Sequence, residues 1–408
     1  MPLLFATRAV RLFAYGLVSV VLVLHLEAAG LSDREVALLL TLTLLGDTAI
    51  SLWITTRADR AGRRRMLLAG AGLMVLAGVV FARAAAFFPL LAAATVGVIS
   101  PSGNEVGPFL AVEQAALSQE VPAARRTAVF AWYGLAGSLA TAFGALAGGG
   151  LAGLLQRHGL MPLASYRWVM AGYAALGAVL LAMFTRLGPA AEAPPRAAAA
   201  PARPSFLAPD LGLHRSRKVV LRLAGLFSAD AFAGGLVVQS YVAWWFHRRF
   251  GVSPAALGGI FFGANVFAGF SALVAAPLAA RFGLVNTMVF THLPSNVLLA
   301  LVPLMPTAPL AVALLLARFS ISQMDVPTRQ SYTMAVVEPD ERSAAAGVTG
   351  IARTIGAALS PLLAGPLYAS ATLASAPFLV AGGIKIAYDV VLWRSFRMVK
   401  PEEERGRA

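Results

Sequence analysis

The chain has 408 residues, of which 58% are hydrophobic and 13% charged, and no cysteine. That is too apolar for a water-soluble protein of this length, so lipid is part of its solvent, and disulfides, thiolate catalysis and cysteine-held metals are excluded. A net charge of +14 would suit a nucleic-acid binder, but most lysines and arginines fall on one side of alternating apolar runs. This is the positive-inside pattern of a polytopic membrane protein, with attraction to anionic headgroups as its by-product.

A hydrocarbon core about 30 Å thick needs about 20 apolar helical residues, and about twelve such runs are expected. The first six are Val10 to Ala29, Glu35 to Thr56, Met66 to Phe87, Pro89 to Leu117, Thr127 to Leu151 and Arg167 to Leu187. No small-residue cleavage site follows the first run, which is expected to stay as a spanning helix. Gly188 to Lys218, rich in proline, alanine and arginine, cannot pack a core and reads as a cytoplasmic linker. Six more runs follow: Val219 to Phe246, Pro254 to Ala280, Thr287 to Met305, Ala308 to Val336, Ala344 to Ala369 and Ala376 to Phe396. The expected division is an N-terminal bundle (1–187), the linker (188–218), a C-terminal bundle (219–399) and a polar tail (400–408).

Between the second and third runs lies Arg57-Ala58-Asp59-Arg60-Ala61-Gly62-Arg63-Arg64-Arg65. One central Asp, Arg or Lys costs a membrane helix about 2.5–3.5 kcal/mol, so this stretch stays at the water interface. Asp59, Arg60, Gly62, Arg63 and Arg64 resemble the loop between helices two and three of the major facilitator superfamily, with Thr55 where the family's leading glycine stands. The resemblance implies an all-α polytopic membrane protein, with twelve transmembrane helices in two pseudo-symmetric six-helix bundles. It also implies alternating-access transport rather than catalysis. In that family the loop is a cytoplasmic gate, its aspartate facing the start of helix eleven and its arginine meeting an acid on helix four. Glu113, near the cytoplasmic end of the fourth run, is the natural partner for Arg63.

The two halves echo each other. Arg60-Ala-Gly62 returns as Arg281-Phe-Gly283, and Val121-Pro122-Ala-Ala-Arg125 as Glu338-Pro339-Asp-Glu-Arg342. Transporters built from such repeats bind substrate near the midplane and rock one half against the other. Ala280 replaces the loop aspartate in the second copy, so the stronger cytoplasmic gate is expected in the first.

Polar residues inside spans are costly and need a partner or a job. In the fourth run, Ser102-Gly103-Asn104-Glu105-Val106-Gly107-Pro108 loosens the helix around a near-central carboxylate. Glu105 is a candidate proton carrier or a pinned packing group. The tenth run holds Arg318, Asp325, Pro327 and Arg329. Asp325 and Arg329 are spaced to pair on one face, either as a self-neutralising structural pair or as part of a binding site. Asp230 lies deep in the seventh run with no Lys or Arg within two turns toward the outside, so a partner, if it has one, comes from another span, and with Glu105 it ranks first as proton carrier. Were it unpaired, burial would favour its neutral form, as proton coupling requires.

Asp47 is a third candidate acid, equally suited to a structural hydrogen bond. Arg353, among the small residues of the eleventh run, is either an anion ligand or the counter-charge of a buried acid. Glycines at Gly137, Gly144, Gly148, Gly149 and Gly150 in the fifth run and Gly350, Gly356 and Gly365 in the eleventh favour close helix packing. Lys385 and Asp389 are spaced to satisfy each other, Trp244-Trp245-Phe246 suits an interfacial aromatic belt, and the five histidines show no metal or dyad spacing.

The sequence therefore reads as a secondary transporter of a small organic solute by alternating access, exporting it as a proton-coupled drug- or metabolite-type antiporter. The alternative is uptake or exchange of an anionic metabolite using Arg318, Arg329 and Arg353. A non-transporting membrane enzyme or sensor is a remote third reading, because no convergent catalytic set is visible. The expected partners are a small-molecule substrate, protons and the bilayer, with no cofactor, metal or nucleic acid. A monomer in a bacterial cytoplasmic (inner) membrane is expected, both termini in the cytoplasm.

Overall fold

A computed structural model describes residues 2–104, 109–120, 123–188, 213–338, 341–370 and 372–399, without the side chains of 52, 54–61, 111, 114–115, 118–120, 123–128, 131 and 342–343. Within these residues the chain is helix and connecting turn. The first half comprises α1 (Pro2–Ser19), α2 (Leu22–Ala28), α3 (Asp33–Ala61), α4 (Arg63–Arg83), α5 (Phe87–Val96), α6 (Phe109–Glu120), α7 (Ala123–Arg157) and α8 (Pro162–Thr185). The second comprises α9 (Arg217–Leu236), α10 (Gln239–Phe250), α11 (Pro254–Phe282), α12 (Leu284–Leu301), α13 (Ala308–Ile321), α14 (Asp325–Ala335), α15 (Arg342–Ala369) and α16 (Ala376–Phe396).

Among the described residues nine helical segments are long and apolar enough to cross a bilayer, and ten if α1 and α2, bent by 44°, count as one span. The two expected runs outside that set are α3, whose side chains are described only in part, and the α5/α6 pair, interrupted at 97–104. The first span starts earlier than the hydropathy implies, at Pro2 instead of Val10. Arg8 and Arg11 lie inside the helix and are 8% and 0% exposed, which is tolerable because they meet partners inside the protein.

Besides α1/α2, three further spans are broken among the described residues. α9 and α10 part at Val237 and Val238, and α13 and α14 at residues 322–324. Between α5 and α6 the chain passes Gly97, Pro101 and Gly103, the last at φ 71°. The carbonyl this frees on Pro101 accepts hydrogen bonds from the backbone N–H and hydroxyl of Ser240, at the start of α10. Irregular backbone at membrane depth is thus satisfied by the other half of the protein.

The echoed Arg-x-Gly sequences share a backbone reason. Gly62 turns α3 into α4 at φ 98°, and Gly283 turns α11 into α12 at φ 83°, a region that side-chain-bearing residues avoid. Helix starts follow local chemistry. Ser32 and Glu35 form a reciprocal capping box at α3, and Ser253 caps α11 ahead of Pro254.

Small residues set the helix seams. A Cβ on Gly144 or Gly148 would strike the α1 backbone at Phe13 or Leu17, and one on Gly356 the backbone of Ser228 on α9. The two halves meet on the face opposite the termini. There Gly149 and Gly153 of α7 lie against Pro254, Ala255 and Gly258 of α11, and Gly365 of α15 against Ala37 of α3. The outside of the bundle exposes large apolar side chains such as Trp53, Trp132, Trp168 and Phe290, a surface suited to lipid and to little else.

At the end carrying the termini, Glu341 begins α15. Its carboxylate accepts the backbone N–H groups of His214, Arg215 and Ser216 just before α9. These bonds, with the Ser216 side chain foremost, lower its pKa to about 2. The start of α9 is thereby tied to the turn before α15.

Candidate functional site

Asp230, at the middle of the α9/α10 span and 4% exposed, is the centre of a buried charge cluster. Lys385 of α16 reaches Oδ1 at 2.5 Å, Arg329 of α14 reaches Oδ2 at 3.1 Å, and Arg353 of α15 lies 3.6 Å from Oδ2. His292 of α12 lies 3.8 Å from Oδ1 through Nε2, while its Nδ1 is 2.9 Å from Asp389 Oδ1. Asn296, one turn further along α12, donates to the other oxygen of Asp389 at 2.8 Å. Arg329 also meets Asp325 at 3.1 Å across one helical turn, and its guanidinium lies over the Phe227 ring at 5.4 Å. Arg318, at the end of α13, interacts electrostatically with Asp230 and Asp325.

Five helical spans thus converge on one carboxylate. A buried charge is tolerable only when paired and hydrogen-bonded, and among the described side chains here the fixed cations outnumber the acids. Asp230, Asp325 and Asp389 face Arg318, Arg329, Arg353 and Lys385, with His292 between two of the acids. The margin of the cluster shows it: Nε of Arg318 is buried with no hydrogen-bond acceptor among the described residues, and Nη1 of Arg353 stands 3.6 Å from Asp230 Oδ2, just beyond hydrogen-bonding distance. Arg353 retains 36% of its side-chain surface, so it is the cation positioned to turn toward a ligand.

The first half has its own buried cluster. Glu113 of α6, 0% exposed, receives both terminal nitrogens of Arg11 at 2.8 Å, the hydroxyl of Thr7 at 3.0 Å and the hydroxyl of Tyr133. Arg8 lies 4.3 Å above the Tyr133 ring, and Arg11 4.7 Å above that of Phe109. Such a bidentate pair with its remaining lone pairs engaged binds α1, α6 and α7 together.

A family model for the Major Facilitator Superfamily matches residues 4–361 and 231–408. The chain belongs to the Major Facilitator Superfamily. It is therefore a multi-pass membrane transporter and not an enzyme. Among curated proteins, an uncharacterized membrane protein of Saccharomyces cerevisiae, YJR124C, is 29% identical over 414 residues, spanning 96% of this chain and 92% of that one. Among solved structures, a bacterial homolog of the lysosomal transporter Spinster, inward-facing and occupied, aligns at TM-score 0.73 and 16% identity over 98% of this chain and 97% of that one. The nucleoside transporter NupG aligns at 0.73 and 12% over 97% and 98%. A D-xylose-proton symporter aligns at 0.69 and 15% over 98% and 97%. At these identities the likeness is one of fold.

Set in the superfamily fold, Asp230, Asp325, Arg329, Arg318 and Arg353 come together around one centre. Asp47 stands half-buried on α3, in the other half. Glu105 lies outside the described residues, as do the side chains of Asp59 and Arg60. Gly62 makes the α3–α4 turn, and Arg63 opens α4, 5% exposed.

Several expectations are corrected. Glu113 does not pair with Arg63; its donors are Arg11, Thr7 and Tyr133, because α6 is packed with its acid toward α1. Lys385 and Asp389 do not satisfy each other: Lys385 serves Asp230, and Asp389 serves His292 and Asn296. Asp230 is accordingly a crowded carboxylate, not an unpaired one. The histidines are not all incidental, since His292 bridges two acids. Trp244, Trp245 and Phe246 form no lipid belt. Trp244 and Trp245 are each 2% exposed, and the Trp244 indole N–H donates to Glu27 at 2.6 Å.

Sequence reasoning missed Lys385, His292 and Asn296 as site members, and Arg11 and Tyr133 in the first half. One signal was available: His292 and Asn296 are polar residues one turn apart in an otherwise apolar span.

Proposed function

We propose that this transporter carries a small organic anion together with a proton, and that the anion is read by the Arg353–Arg329–Lys385 face around Asp230. The observation that carries the reading is the excess of fixed cations over acids among the described side chains there, with Nε of Arg318 lacking an acceptor and Nη1 of Arg353 just beyond hydrogen-bonding distance of Asp230. A substrate carboxylate or phosphate entering this cluster supplies the missing acceptor. It also displaces Asp230 from its cations, and an aspartate without cations in a dry site takes up a proton. Anion and proton then favour each other's binding by the same coupling free energy, the condition for moving both in one step.

Proton-driven export of an organic cation is supported less well. It needs an acid open to the cation, and Asp230 is enclosed by Lys385, Arg329 and Arg353. We place the termini in the cytoplasm from the basic-loop asymmetry. We assign the movement to two six-helix bundles, residues 1–187 and 219–399, gated on the termini side by the loop containing Asp59, Arg60 and Arg63.

The test is flux in liposomes under imposed pH gradients, comparing labelled benzoate, citrate and a phosphate monoester with tetraphenylphosphonium. Uptake of an anion that rises with proton entry, and falls at least tenfold in Arg353→Ala, is expected. Flux of the cation alone, or anion flux indifferent to the gradient, would overturn the reading.

A further inference from the structure

On the face away from the termini, a cleft of about 380 Å³ opens between the end of α10 and the α15–α16 connection. That volume lies within the range of small-molecule sites, about 300–1,000 Å³. Its floor is Trp244, Trp245 and Tyr368, and its rim carries Arg248, Arg249 and Ser375. The aromatic groups pack at steep angles to one another: Trp244 meets Tyr368 edge to face with centroids 6.1 Å apart, and Trp245 lies tilted 4.7 Å from Phe378.

The polar groups of this cleft are donors short of acceptors. Arg249 donates to the Ser375 hydroxyl at 3.1 Å and has no acid partner among the described residues. The indole N–H of Trp245 and the hydroxyl of Tyr368 are buried without a hydrogen-bond partner. Arg248 lies over Trp244 at 4.6 Å and only 3.5 Å from Glu27, both side chains being 40–45% exposed. Trp244, Trp245 and Tyr368 are each 2% exposed and form the floor, with Arg248 and Arg249 lying over the two indoles. Two exposed cations above unsatisfied N–H and O–H groups complement an oxyanion, whose aromatic body stacks on the guanidinium planes.

Arg248 gives the cleft a second property. Glu27 belongs to α2 in the first half and Arg248 to α10 in the second, so their contact, with the Trp244–Glu27 hydrogen bond, ties the halves together on this face. An anion bound between Arg248 and Arg249 competes with Glu27 for Arg248.

We propose that this cleft is a binding site for small aromatic carboxylates or phosphate monoesters, and that its occupation draws Arg248 from Glu27 and loosens the closure between the halves. The site is separate from the Asp230 cluster and does not depend on what that cluster transports. A free solute and a phospholipid headgroup present the same chemistry to it.

The test uses the full chain in phosphatidylcholine nanodiscs, titrated with 4-fluorobenzoate and phenyl phosphate and read by ¹⁹F line broadening and calorimetry respectively. A parallel set contains phosphatidylglycerol, and weaker probe binding there assigns the headgroup as the competing occupant. Arg249→Ala is expected to weaken binding about tenfold or more, the worth of one charge-assisted contact. Glu27→Gln is expected to strengthen it severalfold, because the competitor for Arg248 has gone. The chain has no cysteine, so spin labels at His158→Cys and Leu373→Cys report the distance between halves without background, and the probe should lengthen it. Absence of binding in phosphatidylcholine discs, unchanged affinity in Glu27→Gln, or a label distance indifferent to the probe would each overturn the proposal. So would loss of binding in Arg353→Ala, which would place the probe at the Asp230 cluster.

Discussion

Lys385 reaches from the middle of α16 to Asp230 on α9, passing over Asp389, the acid one turn away on its own helix. That choice leaves Asp389 to His292 and joins α9, α12 and α16 through a single chain of charged groups. Asp230 keeps Arg329, His292 and Arg353 when Lys385 is removed, so the loss is that of one charge-assisted contact and not of a stranded ion. Lys385→Ala is expected to lower stability by about 1.5–3 kcal/mol, and Lys385→Ala with Asp230→Asn to lose less than the sum of the two single variants. Denaturant unfolding of the detergent-solubilised variants, read as a double-mutant cycle, decides it. Additive losses would show that the contact carries no coupling.

Glu113 makes the corresponding prediction in the first half. Glu113→Gln leaves Arg11 enclosed without its counter-charge and should cost about 3–5 kcal/mol, whereas Tyr133→Phe removes one donor and should cost about 1–3 kcal/mol. Because both act on one carboxylate, the double variant should be no worse than Glu113→Gln by more than a few tenths of a kcal/mol. Equal and independent losses in unfolding experiments would contradict the shared network.

Glu341 predicts a pH dependence at the termini end. Its folded-state pKa is lowered from 4.5 to about 2 by the Ser216 side chain and the three backbone donors. A depressed carboxylate pKa stabilises the folded state above the unfolded value and loses that contribution as pH falls through the folded one. The stability difference between the parent chain and Glu341→Gln should be constant above about pH 5 and shrink progressively from pH 4.5 toward 2. Faster amide exchange at Arg215 and Ser216 in the variant would localise the effect. A difference insensitive to pH would remove it.

Gly149 and Gly150 provide an internal control for closure between the halves. A Cβ on Gly149 would collide with the Pro254 carbonyl oxygen, while one on Gly150 meets nothing within 4 Å. Gly149→Ala should hold the face away from the termini open, seen as a longer distance between spin labels on His158→Cys and Leu373→Cys, and should slow transport at least tenfold. Gly150→Ala should leave both unchanged. Equal behaviour of the two variants would show that α7 and α11 do not form the seal.

The features legible from sequence are those carried by one segment at a time. Hydropathy marks the spans, the Arg-x-Gly echoes mark corresponding positions in the two halves, and spacing brings Asp325 to Arg329. The depth of Asp230, with no nearby cation, points to partners on other helices. Which helices those are is decided by three-dimensional packing, and spacing misleads there. Lys385 and Asp389 are ideally placed for each other, yet inter-helical contacts offer both a better arrangement. Likewise Arg63 is the acid-seeking residue of a recognisable motif, but Arg11 is nearer to Glu113 once α1 and α6 are packed. The Trp244–Trp245 pair has the composition of a lipid belt and is covered because α15, α16 and Glu27 of α2 close over it.

The contact of Gly149 with Pro254 and Gly258 brings main chain directly onto main chain, with no side chain between them. A barrier of that kind has no rotamers to flicker and no methyl groups to separate in succession. It is either seated or withdrawn as a whole.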